Sequence, residues 1–201
     1  IEKLRDHCTE IRDLAIIDLL YSTGIRVGEL VNLNIDDIDL EGRECIVYGK
    51  GDKERSVSIT DATVSHLKKY LRQFHPEMLP DQPLFYTKIK GSIAPMSPGN
   101  VSRIINKYAD AIRSEHPNLP KHLHCHMFRR TRATGLYRNG VELEMISVIL
   151  GHSSTETTRI YATPSIEMLE EAMNTANSTI PDETPEWEEN EDELARICGL
   201  R

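Results

Sequence analysis

An α+β domain, mainly helical with one small three-stranded antiparallel sheet, is what this sequence of 201 residues predicts. Three observations carry that expectation. Over most of the chain apolar residues recur at spacings of three and four, the pattern of a helix with one buried face. Between Ile38 and Ile59 the period shortens to two, and turn residues separate the short runs, as paired strands require. No segment repeats, which argues against a solenoid or a propeller.

The elements follow in order. Residues 9–23, TEIRDLAIIDLLYST, read as an amphipathic helix ended by Gly24. IRVGELVNL gives a second short helix with Val27, Leu30 and Val31 on one face. Ile38 with Leu40, then ECIVYG, then RSVSI supply the three strands, joined by a turn at Glu41–Gly42 and by the turn GKGDKE. Thr60 is placed to cap the helix DATVSHLKKYLRQF. Residues 75–97, rich in Pro and Gly, form a connector with a strand at LFYT. Ser97 followed by Pro98 opens a helix that runs to about Glu115, since proline suits the first helical position. After the loop HPNLPK a helix runs from about Cys125 to Asn139 and closes at Gly140. VELEMISVIL stops at Gly151, a short helix surrounds Tyr161, and Ser165 caps SIEMLEEAMNTA. Residues 1–178 are thus expected to form one domain. Residues 179–201 read as an acidic tail in which Leu194, Ile197 and Cys198 give a short helix one apolar face.

The bulk numbers narrow the class. The chain is 39% hydrophobic and 28% charged, the balance of an ordinary globular protein. No apolar run approaches the roughly 20 residues that cross a bilayer, and no basic-then-apolar leader opens the sequence, so a cytoplasmic protein without membrane contact is expected. The first residue is Ile, and the segment reads as part of something longer. Cys8, Cys45, Cys125 and Cys198 are scattered with no C-x-x-C pair, which points to reduced thiols. The net charge of -8 at first disfavours a nucleic-acid partner. The segment from Pro181 onward, with eight acidic residues against Arg196 and Arg201, accounts for -6 of it, however, leaving -2 on a body with basic clusters in GKGDKER and FRRTR. Such a body tolerates DNA without demonstrating it.

Several residues stand out chemically. In HMFRR, His126 and Arg129 lie at i and i+3 on one helix face. Two potential cations make a poor core pair but a good anion clamp, because a guanidinium grips a phosphate with two parallel hydrogen bonds; a solvated helix face is the plainer reading. Arg26 follows Gly24 into a helix between apolar neighbours, with Glu29 one turn later able to hold it. A purely local Arg–Glu pair explains those two equally well. Lys50 sits between the glycines of a hairpin tip, where lysines are common for solubility alone. His122, His124, Cys125 and His126 crowd together, but no second ligand cluster with matching spacing accompanies them, so no metal is expected. In ILGHSSTETTRIYATP, Tyr161 follows His152 by nine residues through a run of hydroxyl-bearing and charged side chains.

As an ordered set these residues resemble the catalytic domain of the tyrosine site-specific recombinases, the group that includes Xer-type recombinases and phage and conjugative-element integrases. TGIRVGEL carries Arg26, GKGDKER carries Lys50, HMFR carries His126 and Arg129, LGH carries His152, and Tyr161 completes the pattern. Gly28 stands where Ser is common and Arg130 where His often follows the motif arginine; neither position is catalytic in the family.

The resemblance implies cleavage of one strand of double-stranded DNA by Tyr161, giving a 3′-phosphotyrosine and a free 5′-hydroxyl. Arg26 and Arg129 would hold the non-bridging oxygens, His126 would accept the phenol's proton, and His152 would contact a phosphate oxygen. Lys50 would protonate the departing oxygen, and Glu29 would orient the site. No cofactor is implied. The resemblance also implies a homotetramer on DNA, weakly associated or monomeric without it, with the C-terminal segment docking on a neighbour, and weak DNA affinity for this domain alone. Two other readings stay open from the residues: a type IB topoisomerase-like cleavage and religation, and a DNA-binding relative that has lost catalysis.

Overall fold

The buried residues of the first helices explain most of the architecture. The computed structural model describes residues 1–49, 54–152, 156–161 and 166–178. α1 (Glu2–Asp6) is a single short turn that the sequence pattern does not reveal; its Leu4 is buried. α2 (Ile11–Thr23) runs through the centre, with Ala15, Ile16, Ile17, Leu19 and Leu20 fully buried. Its Asp13 and Asp18 are buried as well. Each is matched by partners, as a buried carboxylate requires. Asp13 accepts from Arg12 and from the Tyr108 hydroxyl, and Asp18 pairs with Arg5 and His66.

Gly24 ends α2 with φ of 65°, a left-handed conformation that suits a residue without Cβ. α3 (Val27–Val31) follows at once, and the three expected strands come next. β1 (Ile38–Asp39), β2 (Glu44–Tyr48) and β3 (Glu54–Ser58) pair antiparallel in the order β1-β2-β3. Cys45 faces Val57 across the sheet, and these two with Val47 turn inward. Leu40, expected in the first strand, lies past its end.

α4 (Asp61–Phe74) starts where Thr60 accepts a hydrogen bond from the Thr63 backbone N–H at 3.3 Å. The strand expected at LFYT begins two residues later, after the buried Leu84 and Phe85; β4 (Tyr86–Ile89) then pairs with an unexpected β5 (Ser92–Pro95). Their turn uses positive φ at Lys90 and Gly91, a tight connection that a lysine conceals in the sequence. α5 (Pro98–Ile112) is capped by Ser97, and α6 spans Cys125–Arg138. α7 (Leu143–Leu150) ends at Gly151, whose φ is 64°. α8 (Glu156–Arg159) is a single turn, so Tyr161 lies just beyond a helix and not within it.

The main core joins α2, α3, the sheet, α4, α5 and α6 through residues such as Leu19, Leu30, Val47, Leu67, Ile105 and Phe128. A second, smaller cluster consists of Ala133, Ile146, Leu150 and Tyr161. The chain divides into two units, Ile1–Thr163 and Pro164–Arg201, which places α9 (Ile166–Ser178) in the second unit although the sequence suggests a boundary after residue 178. Within α9, Ile166, Leu169 and Met173 form an exposed apolar row at spacings of three and four. The caps expected at Ser165 and the apolar face at Leu194, Ile197 and Cys198 lie outside the described residues. No helix among the described residues is long and apolar enough to cross a membrane.

Candidate active site

Arg129 is the largest side chain among the fully buried ones, at 1% exposure. It is held by the ends of two helices. Its Nη1 donates to the Gly24 carbonyl at 2.8 Å and its Nη2 to the Leu150 carbonyl at 2.6 Å. Carbonyls at a helix C-terminus lack partners within the helix and carry its partial negative charge, so they suit a buried guanidinium. Burial first and then Arg26, with Glu29 opposing, bring the Arg129 pKa to about 10; the group stays charged at neutral pH. Two of its five N–H groups are used in these bonds.

Arg26 precedes α3 and is half exposed, with 46% of its side chain accessible. Its backbone N–H donates to Glu29 Oε2 at 2.8 Å, and its Nη1 to Oε1 at 2.9 Å. Its Nη2 reaches the Gly151 carbonyl at 3.3 Å. Beneath this pair lies Arg55 of β3, which sequence reasoning passed over. Arg55 grips the same carboxylate with two parallel bonds, Nη1 to Oε1 at 3.0 Å and Nη2 to Oε2 at 2.9 Å. Burial alone would push the Glu29 carboxyl up, but the bonds from Arg55 and from the Arg26 backbone outweigh it and hold Glu29 below its usual range. A signal for Arg55 was present: strand alternation puts it on the inward side with Val57.

His126 stands in the first turn of α6, exposed, one turn before Arg129. Partial burial, Arg129, Arg26 and Arg130 all lower its pKa. His152 follows Gly151, and its Nδ1 meets the Thr158 hydroxyl at 2.8 Å. Burial first, then Arg129, Arg26, His126 and Arg55, brings its pKa to about 4, so the ring is neutral at pH 7. When Thr158 donates to Nδ1, the proton of the neutral ring sits on Nε2. Thr158 is fully buried and was also not foreseen.

Tyr161 stacks near His152, with ring centroids 6.2 Å apart and planes inclined by 24°. It does not project from the molecule as the polar run before it suggests. At 4% exposure it packs with Ala133, Ile146 and Leu150, because a phenol ring is mostly apolar surface and the small cluster has a side to close. The fold therefore brings Arg26, His126, Arg129, His152 and Tyr161 into one neighbourhood, from four separate stretches of chain. Three guanidinium groups outnumber the Glu29 carboxylate there, so the cluster favours an anion. Lys50 lies outside the described residues. His122, His124, Cys125 and His126 do not converge: among the described residues, no three His, Cys, Asp or Glu side chains are placed to share a metal ion.

The sequence and the fold are also similar to those of known proteins. Residues 1–168 match the model of the phage integrase family. A tyrosine recombinase of Agathobacter rectalis is 41% identical over 152 residues, covering 75% of this chain and 47% of the relative. The tyrosine recombinase XerA of Pyrococcus furiosus is 36% identical over 170 residues, or 84% of this chain and 56% of the relative. Among solved structures, the XerA recombinase superposes with a TM-score of 0.71 at 32% identity, covering 87% of this chain and 60% of that one. The XerH site-specific recombinase bound to its difH substrate gives 0.63 at 30% identity, covering 86% and 50%. The chain spans about half the length of the curated relatives it matches. With a family model spanning most of the sequence and the cationic cluster assembled around a tyrosine, the chain belongs to the phage integrase family.

Proposed function

We propose that this domain is the strand-cleaving unit of a site-specific DNA recombinase that acts through a 3′-phosphotyrosine intermediate. The observation that carries the reading is the convergence of Arg26, His126, Arg129 and His152 beside Tyr161. A phenol has a pKa of about 10 and is a weak nucleophile at neutral pH. A phosphodiester resists attack because its own negative charge repels the nucleophile. Preorganised donors that meet both non-bridging oxygens reduce that repulsion as charge grows at the five-coordinate phosphorus.

Arg26 and Arg129 serve as those donors. His126 accepts the phenolic proton as Tyr161 Oη bonds to phosphorus, and the neutral His152 donates from Nε2 to a phosphate oxygen. The bond from phosphorus to the 5′-oxygen breaks, and Lys50 supplies the proton that oxygen gains. The phosphotyrosine ester keeps the bond energy, so attack by a 5′-hydroxyl reverses the step without a nucleotide or a metal.

Exchange between two duplexes breaks four strands, and each chain brings one Tyr161, so four copies assemble on paired sites. The apolar residues of the C-terminal segment, Leu194, Ile197, Cys198 and Leu200, dock on a neighbouring copy; removal of residues 181–201 then weakens assembly on DNA.

Incubation with nicked suicide duplexes tests the reading. A covalent protein–DNA adduct should form, peptide mapping should locate it at Tyr161, and Tyr161→Phe should abolish it. Adduct formation at another residue, or none by the full-length protein on its own site, would falsify the assignment. Relaxation of supercoiled plasmid that lacks a cognate site would favour a topoisomerase instead.

A further inference from the structure

Arg26 is held at three points: its backbone N–H and Nη1 on Glu29, and its Nη2 on the Gly151 carbonyl. Both supports rest on the same underlying group. Arg55 grips both oxygens of Glu29, and its guanidinium lies so close under Gly151 that a Cβ there would meet its Cζ at 2.7 Å. Its Nε also points to the Ile149 carbonyl at 3.4 Å. Its Nη1, Nη2 and Nε are thus all engaged on Glu29 and Ile149 within the protein, which turns its hydrogen-bonding edge towards its own site and away from a substrate.

From this arrangement we infer that Arg55 is a positioning residue for cleavage: it fixes Arg26 through Glu29 and Gly151 and touches no part of the DNA. The inference rests on the recombinase reading above. The physical reasoning is that a carboxylate with one guanidinium partner can swing about that partner, whereas a carboxylate gripped from below by two parallel bonds cannot. Glu29 then presents Oε1 and Oε2 to Arg26 in a single orientation. Gly151, pressed on the flat face of Arg55, presents its carbonyl in register with them. A donor that must meet a developing charge loses much of its effect when its orientation is loose, since misplacement by about 1 Å can cost on the order of 100-fold in rate.

Lysine cannot replace Arg55 in this role, because an ammonium is a point charge and lacks the planar fork. Arg55→Lys preserves the charge and tests orientation alone; Arg55→Met removes both.

The test uses single-turnover cleavage by the full-length protein on two substrates. One is an ordinary nicked duplex. The other carries a methylphosphonate at the scissile position, where a neutral methyl replaces a charged oxygen and neutralisation by Arg26 matters less. On the ordinary duplex, Arg55→Lys and Arg55→Met should cleave more slowly by on the order of 10- to 100-fold, with DNA affinity and melting temperature near those of the parent for Arg55→Lys. On the methylphosphonate the deficit should shrink to within about threefold, since the orientation of Arg26 no longer limits the rate. An equal deficit on both substrates would mean that Arg55 only supports the fold, and full activity of Arg55→Lys on the ordinary duplex would also overturn the inference. Failure of the parent protein to form an adduct on either substrate would instead remove the recombinase reading itself.

Discussion

The guanidinium of Arg129 donates to the carbonyl of Gly24 at 2.8 Å, across 105 residues of chain. Gly24 is the residue that stops α2, and its left-handed backbone aims that carbonyl at Arg129. One residue therefore ends a helix through its N–H, which donates to the Leu20 carbonyl, and seats a site residue through its carbonyl. Replacing Arg129 with Met should leave the Gly24 and Leu150 carbonyls buried without a donor. A loss of about 3 kcal/mol in unfolding free energy is expected from denaturant titration, since hydrogen bonds to a charged group are worth roughly 1.5–3 kcal/mol each. The slower cleavage of that variant, on the order of 100- to 1000-fold, should exceed any effect on DNA affinity.

Gly24→Ala should be destabilising by about 1–2 kcal/mol from the left-handed backbone alone. Its added methyl would also lie 2.8 Å from the Leu150 Cδ2, so Leu150 must shift. Thermal unfolding followed by circular dichroism measures this, and a variant as stable as the parent would contradict the close approach.

Tyr161 separates two effects. Tyr161→Phe keeps the ring that packs against Ile146 and Leu150 and should unfold close to the parent, while the proposed reading expects it to form no adduct. Tyr161→Ala empties that position and should lose about 3 kcal/mol. Equal melting temperatures for the two variants would show that the ring does not close the cluster.

Stability should rise with pH across the range in which His152 titrates. Its folded pKa is about 4, below the roughly 6.5 of an unfolded histidine, so the unfolded chain binds the extra proton first. The contribution is therefore complete above about pH 6.5 and is lost as pH falls towards 4. His126, lowered by partial burial and the same arginines, acts in the same direction. Replacing His152 with Gln should flatten the pH dependence of the unfolding midpoint between those limits.

The thiols offer a simple chemical check. Burial, reinforced by Asp13 and Asp18 for Cys8 and by Asp37 for Cys45, pushes both pKa values up to about 12. Iodoacetamide at pH 8 should leave both unlabelled in the native protein and label them after denaturation, as mass spectrometry of the peptides would show.

Much of this was legible before any coordinates. Glycines 24 and 151 and the caps Thr60 and Ser97 act through local backbone chemistry, and local chemistry survives in a sequence. Arg26, Glu29, His126, Arg129, His152 and Tyr161 could be picked out because ordered motifs carry them. What stayed hidden depended on distant partners. Asp13 and Asp18 look like a polar face until Tyr108, Arg5 and His66 arrive from elsewhere. Arg55 looks like one more basic residue near a hairpin tip until Glu29 is seen between it and Arg26. The turn of β4 and β5 was concealed because Lys90 adopts a conformation usually left to glycine or asparagine.

The bond from Arg26 to Gly151 spans 125 residues, and that from Arg129 to Gly24 spans 105. Such long sequence separations place the arginine cage late on any folding route, because the entropy of closing large loops must be met before these contacts form. During synthesis from the N-terminus, Arg26 emerges well before Gly151, the residue that completes its seat. A half-made chain therefore carries the guanidiniums without their arrangement, and the cluster is complete only when the last helices of the body have been translated and packed.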